Sequence, residues 1–173
     1  MPAEWEPHAS TWLTWPKNKI TWPGKYLKEA EFIYLQMIAG LLPGEKVNLL
    51  VDDKKTANFV LKALSSGKHR TSNLIFHEVK TVDTWIRDYG PIFVRSKNRK
   101  IAFTKWIFNA WGGKYDDLAC DNDVVDRIGV LKKVKRFAPG IILEGGSIDV
   151  NGQGVCLTTE QCLLNPSRNP KLA

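Results

Sequence analysis

The stretch from Tyr26 to Leu42 puts Leu27, Ala30, Tyr34, Met37, Ile38 and Leu41 on one helical face, stops at Pro43-Gly44, and is followed at once by the apolar run Val47-Asn48-Leu49-Leu50-Val51. A one-sided helix feeding directly into a buried strand must pack back over that strand, which selects an α/β layer. The pattern then recurs. Thr11-Trp12-Leu13-Thr14-Trp15 reads as a strand ended by Pro16, and Asp52 or Asp53 caps a second amphipathic helix from Ala57 to Leu64 that closes at Gly67. Leu74 to Val79 is a further strand. Ile92-Phe93-Val94 and Lys100 to Trp106 flank a Ser96-Lys97-Asn98-Arg99 turn and form a hairpin. A helix from about Asp121 through Ile128, ended by Gly129, precedes strands at Lys133 to Phe137, Ile141 to Leu143, Ser147 to Val150 and Gly154 to Leu157, with Asn151-Gly152 as a turn. These rounds of β, α and β-hairpin make a soft repeat in an α/β chain, read as one span over residues 1–173 without a separate linker.

At 173 residues and 43% hydrophobic, the chain can bury an ordinary core. No apolar run approaches the ~20 residues that cross a bilayer, and Met1-Pro2-Ala3-Glu4-Trp5 lacks the basic and apolar regions of a signal peptide. The default expectation is therefore cytoplasmic, with no membrane partner. The net charge of +7 is spread over separate clusters at element ends, which reads as solvated surface and argues against a nucleic-acid partner. Trp5, Trp12, Trp15 and Trp22 are interleaved with Pro and Glu and lack the basic groove that base-stacking platforms need, so core and channel packing is the expectation for them. Cys120, Cys156 and Cys162 are odd in number and have no CxxC spacing, as expected of free thiols in a reducing compartment. No spacing of carboxylates and histidines forms a metal-ligand set, and no cofactor motif is present.

Two segments carry chemistry. In Asp83-Thr84-Trp85-Ile86-Arg87-Asp88-Tyr89-Gly90-Pro91, a carboxylate lies beside a tryptophan and a Gly-Pro stop. Asp88 offers two oxygens to a planar cation and Trp85 offers a π face. The plain alternative is an Arg87-Asp88 surface ion pair in a turn. In Leu143-Glu144-Gly145-Gly146-Ser147-Ile148-Asp149, Glu144 heads a Gly-Gly turn where backbone at Gly146 can approach a ligand closely; the alternative is a Glu that merely caps the turn. Trp111, before Gly112-Gly113, is either a channel-lining aromatic or ordinary packing at the core edge.

These segments, with the opening Met1 to Pro16 and Phe108-Asn109-Ala110-Trp111-Gly112-Gly113-Lys114-Tyr115, closely resemble the agmatine deiminase and bacterial peptidylarginine deiminase family. The resemblance implies a pentein α/β propeller, a pseudo-fivefold ring of ββαβ units around a substrate channel, of which this chain would form the N-terminal half. It gives Asp88 the role of gripping the guanidinium nitrogens and Trp85 that of lining the channel beside it. Glu144 would orient the catalytic histidine and contact the substrate amidine.

The implied reaction is agmatine plus water to N-carbamoylputrescine plus ammonia, in polyamine synthesis, through covalent attack by a cysteine and without a cofactor. In the family the nucleophilic cysteine lies near the far C-terminus, preceded by a His-x-Asp pair. His8, His69 and His77 do not stand in that setting, so the expectation is a chain that carries part of the site and is inactive alone. The partners expected are a small guanidine and either a second copy or the C-terminal half. Two alternatives stay open, a fragment that only binds a guanidine and a peptidylarginine deiminase.

Overall fold

The computed structural model describes residues 1–172, apart from the side chains of Val130 and Lys132. It has an α/β fold and divides into two compact units, one from Pro7 to Ile86 and the other combining Met1–Glu6 with the chain from Arg87 onward.

In the first unit, β1 (Ser10–Thr14), β2 (Lys46–Val51) and β3 (Leu74–Glu78) form a parallel sheet in that order. Thr11 pairs with Val47 and Val47 with Leu74. Helices α1 (Tyr26–Leu41) and α2 (Lys54–Ser66) supply the crossovers that parallel strands require. Strand alternation sends Leu13, Val47, Leu49 and Val51 into one core with Ile38 of α1 and Val60 and Leu64 of α2. Each such side chain contributes roughly 1.5–3 kcal/mol of apolar burial. Of the expected α1 face, Ala30 and Ile38 are buried and Tyr34 and Leu41 pack at the core edge, while Met37 is displaced to the rim and 42% exposed. Helix α2 starts where Asp53 accepts a hydrogen bond from the Thr56 N–H at 2.8 Å, which settles the capping choice between the two aspartates.

The second unit begins within the short helix α3 (Ile86–Tyr89) and continues through the antiparallel pair β4 (Ile92–Arg95) and β5 (Ile101–Thr104), the expected hairpin. Strand β6 (Lys135–Phe137) adds to β5 in parallel. The element α4 (Ala110–Gly113) is a left-handed turn, with positive φ at Ala110, Trp111, Gly112 and Gly113. The expected helix near Asp121 resolves into a 3-10 segment over Asp116–Asp123 and then α5 (Val124–Lys132). Gly129 therefore lies inside α5 and does not end it; Lys133, at φ 50°, takes the left-handed cap. The glycine is explained by packing, because a Cβ there would sit 2.6 Å from Cζ of the buried Phe103 ring. Ile141 to Leu143, expected as a strand, carries a single isolated bridge, Ile107–Ile142, among the described residues. A short pair, β7 (Asp149–Val150) and β8 (Cys156–Leu157), follows, and then α6 (Glu160–Leu163).

Candidate functional site

Asp88 and the turn headed by Glu144 meet inside the second unit. Asp88 is carried on α3, whose end is enforced by Gly90-Pro91, and its Oδ1 accepts the Gly146 N–H at 3.0 Å. The Glu144-Gly145-Gly146 turn can come this close only because it lacks side chains: a Cβ on Gly146 would collide with Asp88 Oδ1, and one on Gly145 with the Arg87 carbonyl. A second donor to the Asp88 carboxylate is the side chain of Trp111.

Burial pushes the Asp88 pKa above the ordinary carboxylate value, and the neighbouring Glu144 charge pushes the same way; the Gly146 and Trp111 hydrogen bonds and the Arg87 charge pull against them without cancelling the rise. The surface-pair alternative for Arg87 and Asp88 does not describe the geometry. Arg87 Nη1 pairs with Glu4 at 2.7 Å, and Arg87 Nε donates to the Gly145 carbonyl at 3.0 Å. Arg87 thus anchors the Gly-Gly turn from behind.

Glu144 is 2% exposed. Its carboxylate makes no capping hydrogen bond; the turn is closed by its main-chain carbonyl, which accepts from Ser147 N at 3.0 Å and Ser147 Oγ at 2.7 Å. The buried carboxylate accepts instead from Arg168 Nε at 2.8 Å through Oε1, and the Arg168 side chain is itself only 13% exposed. Arg168 escaped the sequence reading. It lies in Asn165-Pro166-Ser167-Arg168-Asn169-Pro170, and its neighbour Asn169 fixes the segment to the stretch that leads to Glu144, donating to the Ile142 carbonyl at 2.8 Å and accepting from Ile142 N at 2.9 Å. A lone arginine in a Pro-bounded polar run was the one available signal.

Trp111 stands on α4. Its backbone (φ 58°, ψ 43°) lies in the left-handed region, which costs a non-glycine residue about 1–2 kcal/mol. The turn is held by Asn109, whose Oδ1 accepts from Gly112 N at 2.8 Å and whose Nδ2 donates to the Ser167 carbonyl at 2.9 Å. The indole packs edge-on against Phe108 and Tyr115, at ring separations of 5.1 and 5.8 Å.

Trp85 belongs to the first unit. Its Nε1 donates to Asp83 Oδ2 at 3.1 Å, and its ring lies 6.3 Å from that of Trp22 at an interplanar angle of 20°. Asp83 is fully buried and also accepts from Thr21 Oγ1 and, at 2.8 Å, from Thr84 N. This network leaves the indole 39% exposed, a π surface fixed in orientation.

His77 Nε2 lies 2.9 Å from Asn48 Oδ1 and stacks on Trp12, and His8 Nδ1 lies 3.7 Å from Glu45. Cys120 and Cys156 are exposed and unbridged. Among the described residues no group of three or more His, Cys, Asp or Glu could hold a metal ion, and no helix is long and apolar enough to cross a membrane.

The family model for Porphyromonas-type peptidyl-arginine deiminases matches residues 1–173, and the chain belongs to that family. Among curated relatives, the agmatine deiminase of Medicago truncatula is 35% identical over 185 residues, covering 100% of this chain and 47% of the relative. Among solved structures, one of a putative agmatine deiminase superposes with a TM-score of 0.88 at 33% identity, covering 98% of this chain and 47% of the other. A Cys-to-Ser variant of the C. jejuni agmatine deiminase, with substrate bound, superposes with a TM-score of 0.79 at 34% identity, covering 97% of this chain and 47% of the other. The chain thus spans about half the length of the relatives it matches.

Proposed function

We propose that this chain carries the guanidinium-holding part of an agmatine deiminase-type hydrolase. The observation that carries the reading is that Asp88, remote in sequence from Glu144, is hydrogen-bonded to the glycine turn that Glu144 heads, with the Glu144 charge near enough to act on the Asp88 carboxyl. A guanidinium is planar, always protonated at neutral pH and rich in donors, so it calls for acceptor carboxylates in fixed places. Asp88 grips the guanidinium nitrogens, Glu144 contacts the amidine and orients the catalytic histidine, and Trp111 lines the approach, with Gly146 supplying backbone at the turn.

In the reaction proposed, a cysteine thiolate attacks the guanidinium carbon, ammonia leaves, and water hydrolyses the thiouronium to release N-carbamoylputrescine and the thiol. The cysteine and the His-x-Asp pair come from outside the motifs of these 173 residues, and the chain is one portion of a single pentein α/β propeller domain, completed by the C-terminal half or by a second copy. The enzyme serves polyamine synthesis in the cytoplasm. The family match and the agmatine deiminase relatives support this reading.

Calorimetric titration of the chain with agmatine and with putrescine, which is the same diamine skeleton without the guanidine carbon, tests it. Binding of agmatine alone, with no ammonia released, is expected. Equal binding of the two ligands, or binding of neither, would overturn the reading.

A further inference from the structure

The ion pair between Arg168 and Glu144 lies almost wholly out of water, with side-chain exposures of 13% and 3%. A buried charge pair is retained at a cost in desolvation, and its best-attested use is to hold a specific arrangement. What Arg168 holds is broader than one carboxylate. Its Nη1 donates to Ser167 Oγ at 3.2 Å, and the guanidinium and that hydroxyl fill the space beside Gly112, where a Cβ would strike both. Gly112 belongs to the left-handed turn that carries Trp111, and the Trp111 side chain hydrogen-bonds Asp88. Asp88 in turn accepts from Gly146, two residues after Glu144. Ion pair, glycine contact, indole bond and backbone bond therefore close a circuit through both carboxylates.

We propose that Arg168 is a positioning residue for the guanidine site: it fixes Glu144 through Nε and, seated over Gly112, ties the Glu144 turn to the Trp111 turn that holds Asp88. The proposal rests on the reading of Asp88 and Glu144 as that site. It also gives the left-handed strain at Trp111 a role, since the turn is where the two carboxylate supports touch. A lysine could neutralise Glu144 but has no planar fork with which to bridge the carboxylate and the turn.

The test is the titration of the Asp88 side-chain carboxyl, followed by carbon NMR in the full chain without ligand. The groups facing Asp88 are the Glu144 and Arg87 charges and the Gly146 and Trp111 donors. In Arg168→Gln, Glu144 loses its compensating charge, so the Asp88 midpoint should move upward and the Trp111 indole N–H resonance should shift with it. In Arg168→Lys the midpoint should return toward the parent while the indole resonance stays displaced. Changes confined to Glu144, Ile142 and Asn169, with Asp88 and the Trp111 indole as in the parent, would overturn the proposal. If Arg168→Gln does not fold, Arg168→Lys decides alone: an undisplaced indole resonance overturns it. Absence of agmatine binding by the parent chain would sink the functional reading without altering this titration, so the two failures are distinguishable.

Discussion

The backbone N–H of Gly146 reaches Asp88 because nothing projects from its α-carbon, and that gives a residue-scale prediction. In Gly146→Ala, the added methyl meets Asp88 Oδ1. Either the turn retreats, losing the 3.0 Å bond, or Asp88 swings away from Trp111. Overpacking of this kind costs about 1–3 kcal/mol. Urea denaturation should show that loss of stability, and agmatine binding should fall with it; wild-type values for both would mean the turn has slack that the geometry denies. The close backbone approach at Glu144-Gly145-Gly146 was legible in the sequence because a glycine pair announces it, and the structure puts Asp88 there. Arg168 was not, since its partner lies across the fold from Asn165-Pro166-Ser167-Arg168 and no local periodicity connects the two. Nor could the left-handed backbone at Trp111 be read, because the glycines after it advertise positive φ only for themselves.

At the element scale, Gly129→Ala separates two opposed effects. Alanine inside a helix gains about 1 kcal/mol over glycine from propensity alone. The Cβ, however, lands 2.6 Å from Cζ of Phe103, a buried ring on β5 that cannot yield without disturbing its edge contact with Phe93. Overpacking at about 1–3 kcal/mol outweighs propensity, so the variant should melt below the parent; a higher melting temperature would show that the ring gives way. The same position shows where element boundaries escaped the sequence. A glycine near the end of a periodic run reads as a helix stop, yet here it is a packing notch, and the stop falls to Lys133. Helices α1 and α2 and the β4–β5 hairpin were legible because their apolar spacing and flanking signals agree. The 3-10 segment over Asp116–Asp123 has no such spacing, and Ile141 to Leu143, apolar enough for a strand, finds only one bridging partner.

At the scale of the whole molecule, the chain combines a three-stranded parallel sheet under two helices with a second unit that holds both carboxylates. The α/β class followed from the sequence because helices alternate with strands; the division into two units did not, since no linker composition marks Ile86–Arg87. The raised pKa of Asp88 has consequences for the whole chain with a definite sign. Its native state keeps the proton to a higher pH than the unfolded chain does, so its contribution to stability declines as pH rises from the ordinary carboxylate pKa through the raised one. Ligand binding runs the other way, because only the ionised form attracts a guanidinium. Affinity should therefore be lost, as pH falls, sooner than an ordinary aspartate would dictate.

The most direct test of the guanidine site is agmatine affinity measured calorimetrically as a function of pH, in the parent chain and in Asp88→Asn. The parent should bind at neutral pH and weaken on acidification through the raised Asp88 pKa, whereas Asp88→Asn, with a neutral amide turned toward a donor-rich ligand, should bind at least ~10-fold more weakly, the loss expected for a charge-assisted hydrogen bond worth about 1.5–3 kcal/mol. Equal affinity and an unchanged pH profile in the two proteins would remove Asp88 from the site and contradict the account.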